Sequence, residues 1–300
     1  MKNAIMYYYN LEPKEIHRTN DTYRFTYNSK RYILCPYIKN INELYEIYEI
    51  SLYLNIIGIY CHKIIPNKKE DIITKINNLN YVLLENNIIN RNISEEDIKK
   101  YTSIRIDINK YKHLKRNNWY ELWINKIDYM EYQVTQFGKK YKELKESSTY
   151  FFGIVENCIT MLSQTANMWD ELTISHNRIS KNTTTEYFYN PLNFVLDSAE
   201  RDIGEYIKSY ICDENIIQQV NKIINYIIPG EIRYDILFIR ILYPSYYMDL
   251  FEKIIAEGFE DRELLKKIKN LNNYEKSIKK IYNYFRSILK IPEIQWLEDQ

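Results

Sequence analysis

The chain has 300 residues, 45% of them apolar, enough to bury a sizeable core in one large domain or two modest ones. Its 41 basic and 40 acidic residues leave a net charge of +1, so no global field gathers nucleic acid or an anionic membrane. The longest apolar runs, such as Ile56 to Tyr60, are far too short to cross a bilayer, and no cleavable leader pattern opens the chain, so a cytoplasmic protein is expected.

In chain order, Tyr23–Tyr27 and Arg31–Cys35 are β-rich runs separated by Asn28-Ser29-Lys30, which predicts an antiparallel hairpin. Ile41, Leu44, Tyr45, Tyr48, Leu52 and Ile56 recur at helical steps, predicting a helix from about Asn42 to Asn55 that Gly58 ends. Two more apolar runs, His62–Ile65 and Tyr81–Leu84, read as strands.

From Ser94 the pattern turns helical, with Ser94-Glu95-Glu96-Asp97 as a helix start. Trp119, Leu122, Trp123, Ile127 and Met130 mark one apolar helix face, and Tyr150 to Leu162 another. Between Thr173 and Leu196 the helical period breaks, and a small hairpin is expected around Lys181–Thr184. Helical patterns then run from Ala199 to Leu289, interrupted at Pro229-Gly230 and Pro244.

This layout resembles the aminoglycoside-phosphotransferase-like branch of the protein-kinase-like superfamily, and within it most closely the spore-coat-associated kinase-like proteins. The resemblance is carried by Trp123–Glu131, Tyr150–Asn157, the loop at His176, Arg240–Tyr247 and Ile294–Leu297. It implies an α+β, two-lobed protein-kinase-like fold: residues 1–87 as a small antiparallel sheet with one helix, and residues 88–300 as a mainly helical lobe with a central β-hairpin.

The resemblance also implies positions for phosphoryl-transfer chemistry. A kinase covers the phosphates with a glycine-rich turn, yet no glycine precedes Gly58. The turn near Arg18-Thr19-Asn20-Asp21 carries side chains throughout, although Asn20-Asp21 suits a tight turn. Cys35 falls where the phosphate-binding strand lysine belongs, and reads as a buried strand thiol ahead of a reactive one. Arg31 shares its strand face but lies roughly 13 Å away; a shift of register would bring in Lys30 or Lys39. Glu46, with Glu43 on the same helix, takes the place of the glutamate that pairs with that lysine, and without the lysine reads as a solvated acid.

In the catalytic loop His176 holds the first position, Arg178 replaces the catalytic aspartate and Thr183 replaces the magnesium-binding asparagine, with Asn182 or Lys181 within a shift. A guanidinium stays protonated and cannot accept the substrate proton. His176 reads as a buried structural histidine rather than a base. Asp197 alone keeps a metal-binding type of residue; the other reading pairs it with Arg178 or Arg201 and no metal. Asp202 and Glu205 are expected to brace the same loop.

No Gly-x-Ser-x-Gly, His-Glu-x-x-His, Walker or dinucleotide motif occurs, and the four histidines are dispersed. The cysteines Cys35, Cys61, Cys158 and Cys212 lack the close pairs of a zinc site and are expected to be buried, reduced thiols. The basic run Lys110–Arg116 reads as a solvated connection, and Tyr7-Tyr8-Tyr9 and Tyr246-Tyr247 offer themselves as interface groups. The first reading is a catalytically degenerate kinase-fold protein that binds or scaffolds a protein partner, without nucleic acid, membrane or cofactor. By resemblance it would act in the mother-cell cytoplasm or at the forming spore coat. The alternative is an ATP- and magnesium-dependent small-molecule phosphotransferase with rearranged residues; a purely structural coat component is a third.

Overall fold

Strands β1 (Ile16–Thr19), β2 (Thr22–Tyr27) and β3 (Lys30–Pro36) are joined by two-residue turns, because Thr19 pairs with Thr22 and Tyr27 with Lys30. Turns this short need left-handed residues, and asparagine supplies most of them. Asn28 and Ser29 have φ 47° and 62°, the signature of a type I′ turn, and Asn20 has φ 53°. Asn77 and Asn78 repeat the pattern between β5 (Thr74–Ile76) and β6 (Leu79–Glu85).

This computed structural model describes residues 1–165, 171–227, 232–264, 271–288, 291 and 293–298. The expected break at Pro229-Gly230 and the helix end at Leu289 lie outside them. The chain forms two units: Met1–Ile93 with Asn109–Lys115 and Asn182–Val195, and Ser94–Ile108 with Arg116–Lys181 and Leu196–Gln300.

In the first unit the sheet runs β1-β2-β3-β6-β4, with β4 at Lys63–Ile65 and β5 paired to β6. Strand alternation sends Phe25, Tyr32, Leu34, Tyr81 and Leu83 to one face, where Ile5 and Tyr9 of helix α1 (Lys2–Tyr9) complete a buried cluster. Helix α1 and strands β1 and β5 are additions to the predicted elements. Tyr9 is core, with its hydroxyl 2.8 Å from that of Thr74, and only Tyr7 of the tyrosine triplet is largely exposed. Helix α2 (Ile41–Ile56) forms where the helix is expected, capped by the Asn40 side chain and followed by Gly58 at φ 74°, but it buries Leu44, Ile47, Ile50 and Leu54, whereas Ile41, Tyr45, Leu52 and Ile56 of the expected face are exposed.

The second unit is mainly helical. Helix α3 (Glu95–Thr102) starts in a capping box, Asp97 accepting the N–H and hydroxyl of Ser94 at 2.7 and 2.9 Å. Helices α4 (Trp119–Phe137) and α5 (Lys142–Ser163) bury the expected faces, except that Leu122 is exposed. Tyr247 is also core rather than interface: its ring stacks on Phe151 at 3.9 Å and its hydroxyl meets that of Ser147 at 2.9 Å.

Strand β8 (Glu171–His176) lies between β7 (Ile106–Asp107) and β9 (Phe194–Asp197). The strands β8 and β9 are neighbours, but not through a tight turn. Their connection contains helix α6 (Thr185–Phe188), capped by Thr184, and a 3-10 turn at Pro191–Asn193. Helices α7 (Glu200–Lys208), α8 (Ile216–Ile227), α9 (Tyr234–Leu242), α10 (Ser245–Glu257), α11 (Leu271–Ile288) and α12 (Gln295–Glu298) follow. Helices α7 and α9 pack closely because Gly204 has no side chain: a Cβ there would meet Arg240 Cγ at 2.7 Å.

Candidate functional site

The register of the β2–β3 hairpin places Arg24 opposite Ile33, on the same sheet face as Cys35 and diagonally adjacent to it. Arg24 of β2 thus stands as a cation beside Cys35. Its guanidinium pairs with Glu186 at 2.6 Å, both half-buried. Burial pushes the half-buried Cys35 thiol up to about 12, opposed by Arg24 and reinforced by Glu186, which disfavours the nucleophilic thiolate. Of the other cysteines, Cys61 and Cys158 are buried as expected and Cys212 is exposed; all are free thiols.

Glu46 is not a solvated acid. Its two carboxylate oxygens accept the backbone N–H groups of Lys112, His113 and Leu114 at 2.9 to 3.1 Å. Anchoring a run of amides occupies the carboxylate that would otherwise pair with a strand lysine. The basic run Lys110–Arg116 is thereby held at its backbone, with Tyr111 and Leu114 buried. Thr183 lies in the first unit, its carbonyl accepting the N–H of Ile93 at 2.8 Å.

In the second unit a buried polar chain ties the loop together. His176 is wholly buried, and Asp202 accepts both its backbone N–H (3.0 Å) and its Nδ1 (2.7 Å). Arg201 donates to the carbonyls of His176 and Asn177 at 2.8 and 3.3 Å, and its Nη1 lies 2.5 Å from Asp197 Oδ2. That oxygen also accepts from Trp119 Nε1 at 3.0 Å, while Oδ1 takes the Ser198 N–H at 2.8 Å. Burial raises the Asp197 carboxyl above its ordinary range, and Arg201 is the chief opposing influence. Of its two expected partners, Asp197 has Arg201.

Arg178 turns elsewhere. It donates from Nε and Nη2 to the two oxygens of Asp249 on α10, each at 2.6 Å. Glu205 does not brace this loop directly; it forms a buried cluster with Lys208 (2.7 Å), Arg240 (2.8 Å) and the Ser245 hydroxyl (3.1 Å). Burial pushes the Lys208 ammonium down, with Glu205 opposing.

These residues do not fit a catalytic magnesium ion. The Asp197 side chain is fully buried, with donors on both oxygens, and among the described residues no group of three or more His, Cys, Asp or Glu side chains could hold a metal. Sequence reasoning passed over Arg24, Glu186, Asp249 and Arg240. Only Arg24 had an available signal, since the turn at Asn28-Ser29 sets the register that puts it beside Cys35.

The architecture is that of a two-lobed kinase of the aminoglycoside-phosphotransferase type. An aminoglycoside phosphotransferase from Alicyclobacillus acidocaldarius is similar with a TM-score of 0.70 at 8% identity, over 96% of each chain. A microcompartment-associated aminopropanol kinase gives 0.61 at 8% identity, over 94% of this chain and 96% of that one. The spectinomycin phosphotransferase APH(9)-Ia, in complex with ADP and spectinomycin, gives 0.60 at 13% identity, over 93% and 92%. Similarity at these identities is one of fold. No curated protein sequence matches the chain. Residues 2–286 match the family described as "Spore coat putative kinase YutH", and the chain belongs to that family.

Proposed function

We propose that this protein is a catalytically degenerate member of its kinase-like family that works by binding a protein partner, with 1–87 as its small lobe and 88–300 as its helical lobe. The observation that carries this reading is Asp197: its carboxylate is sealed inside the second unit, bound to Arg201 and Trp119. Magnesium would have to displace a buried guanidinium to reach it, at a cost of several kcal/mol. The arginine at 178 supports the same reading, because it cannot serve as the base. Membership of a spore coat family supports an assignment to the mother-cell cytoplasm or the forming coat.

One observation favours the alternative, an ATP-dependent small-molecule phosphotransferase. Arg24 offers a cation next to the place of the missing lysine, and release from Glu186 would free it for a phosphate. Calorimetric titration with ATP, with and without magnesium, separates the two. The binding-protein reading expects no magnesium-dependent heat at about millimolar nucleotide. Magnesium-dependent binding that is lost in Arg24→Gln, in a variant that remains folded, would overturn it.

A further inference from the structure

A cavity of about 390 Å³ in the second unit is walled by Arg178, Arg201, Arg240, Trp119, Trp123 and Tyr243, with Lys126 also in its lining. Four cations face this space, whereas the only carboxylate among the lining residues is Glu252, half-exposed and paired with Lys126 at 2.9 Å. The other counter-charges are not part of the lining: Asp197 holds Arg201, Asp249 holds Arg178, and Glu205 is shared between Arg240 and Lys208. Among the lining side chains themselves, cations outnumber carboxylates four to one.

Arg240 is the least compensated of these groups. It is 3% exposed, and its Nη2 lies 2.8 Å from a Glu205 oxygen without an aligned hydrogen bond. The rest of the wall is aromatic. Trp123 is stacked between Trp119 (5.5 Å, 15°) and Tyr243 (4.0 Å, 12°), and the Arg240 guanidinium lies 5.0 Å from the Trp119 ring centre. Gly204 permits this placement, since a Cβ there would collide with the Arg240 side chain.

We infer that this cavity is a binding site for a small organic anion, a carboxylate or phosphate monoester carried on a flat ring. The negative group would face the three guanidinium groups and the ring would lie against the edges of the Trp119–Trp123–Tyr243 stack. The volume is near the lower end of small-molecule sites and suits a single ring with its acidic substituent. An amine would be repelled by the same wall. The cavity includes Arg178, at the position of the catalytic aspartate, but the inference does not require nucleotide binding, and the anion needs no magnesium.

The test uses the full chain without magnesium, titrated with phenyl phosphate and separately with benzoate, by calorimetry and tryptophan fluorescence. At least one of them should bind saturably and change the emission, and the preferred one identifies the acidic group. Benzyl alcohol and benzylamine should bind at least about tenfold more weakly. Lys126→Gln and Arg178→Gln, at partly exposed positions and verified as folded by circular dichroism, should each weaken the anion by about fivefold or more and reduce its salt dependence. Equal affinity for benzyl alcohol, no saturable binding of either anion below about 20 mM, or affinity unchanged in both variants would overturn the inference. Magnesium-dependent ATP binding sensitive to Arg24→Gln but not to Lys126→Gln would overturn the functional reading above and leave this site standing.

Discussion

Arg178 and Asp249 form a two-point ion pair, Nε and Nη2 each 2.6 Å from one carboxylate oxygen, across 71 positions of sequence. The pair fixes the loop after β8 to helix α10 and directs the guanidinium away from Asp197.

Both partners are more than a third exposed, so solvent discounts the pair. A double-mutant cycle with Arg178→Ala and Asp249→Ala should give a coupling of about 1 kcal/mol in urea unfolding, most of it lost near 1 M salt. A coupling near zero at low salt would show that the bidentate geometry contributes nothing to folding.

Asp197 and Arg201 differ from this case because both are buried. Asp197→Asn keeps the shape but leaves a guanidinium without its counter-charge, and should cost about 3 kcal/mol in urea unfolding. Magnesium should not shift the unfolding midpoint of the parent protein. A midpoint raised by magnesium in the parent and not in the variant would mean that the carboxylate can be released to a metal.

Glu46 supplies an observable unrelated to catalysis. Replacing it with Gln halves its acceptor capacity and removes its charge beneath the amides of Lys112, His113 and Leu114. Those amides should exchange with solvent about tenfold faster, with a stability loss of about 1 kcal/mol. Unchanged protection would assign the order of residues 112–114 to the burial of Tyr111 and Leu114 instead.

His62 makes stability depend on pH. It is wholly buried and neutral: Nε2 donates to the Glu186 carbonyl at 3.0 Å and Nδ1 accepts from the Tyr60 hydroxyl at 3.2 Å. Burial pushes its pKa down to about 4, with the Glu186 carbonyl opposing. Between roughly pH 6.5 and pH 4 the unfolded chain binds a proton that the folded chain refuses, so stability falls with pH across that window, by about 3 kcal/mol in all. His62→Gln should flatten this slope relative to the parent; parallel curves would remove His62 as the cause.

Much of this fold is legible in local pattern. The β2–β3 hairpin follows from two β-rich runs around Asn28-Ser29; α2 is legible as a helix, but apolar residues occur all round it, so the sequence period selects the face of Ile41, Tyr45, Leu52 and Ile56 while packing buries Leu44, Ile47, Ile50 and Leu54. Helix α1 is harder to read, because Tyr7-Tyr8-Tyr9 has the composition of an exposed contact patch and only the packing of Tyr9 against the sheet makes it core. Strand β5 has three residues, too few for alternation to register. The connection from β8 to β9 has β-favouring composition, yet Thr184 caps a helical turn there. At the site, Cys35, Arg178 and Asp197 can be located by resemblance along the chain. Glu186, which pairs with Arg24 beside Cys35, and Asp249, the partner of Arg178, come from distant segments that no local rule connects to them.

The Asn28–Ser29 turn has a consequence beyond reversing the chain. Strand pairing alternates faces with every residue, so a turn one residue longer or shorter would shift the register and send Arg24 to the opposite side of the sheet, away from Glu186 and into the face that holds Phe25 and Tyr32. The length of this turn thus acts as a parity setting for a charge four positions away, and insertions there carry an electrostatic penalty that the turn's own exposure does not reveal.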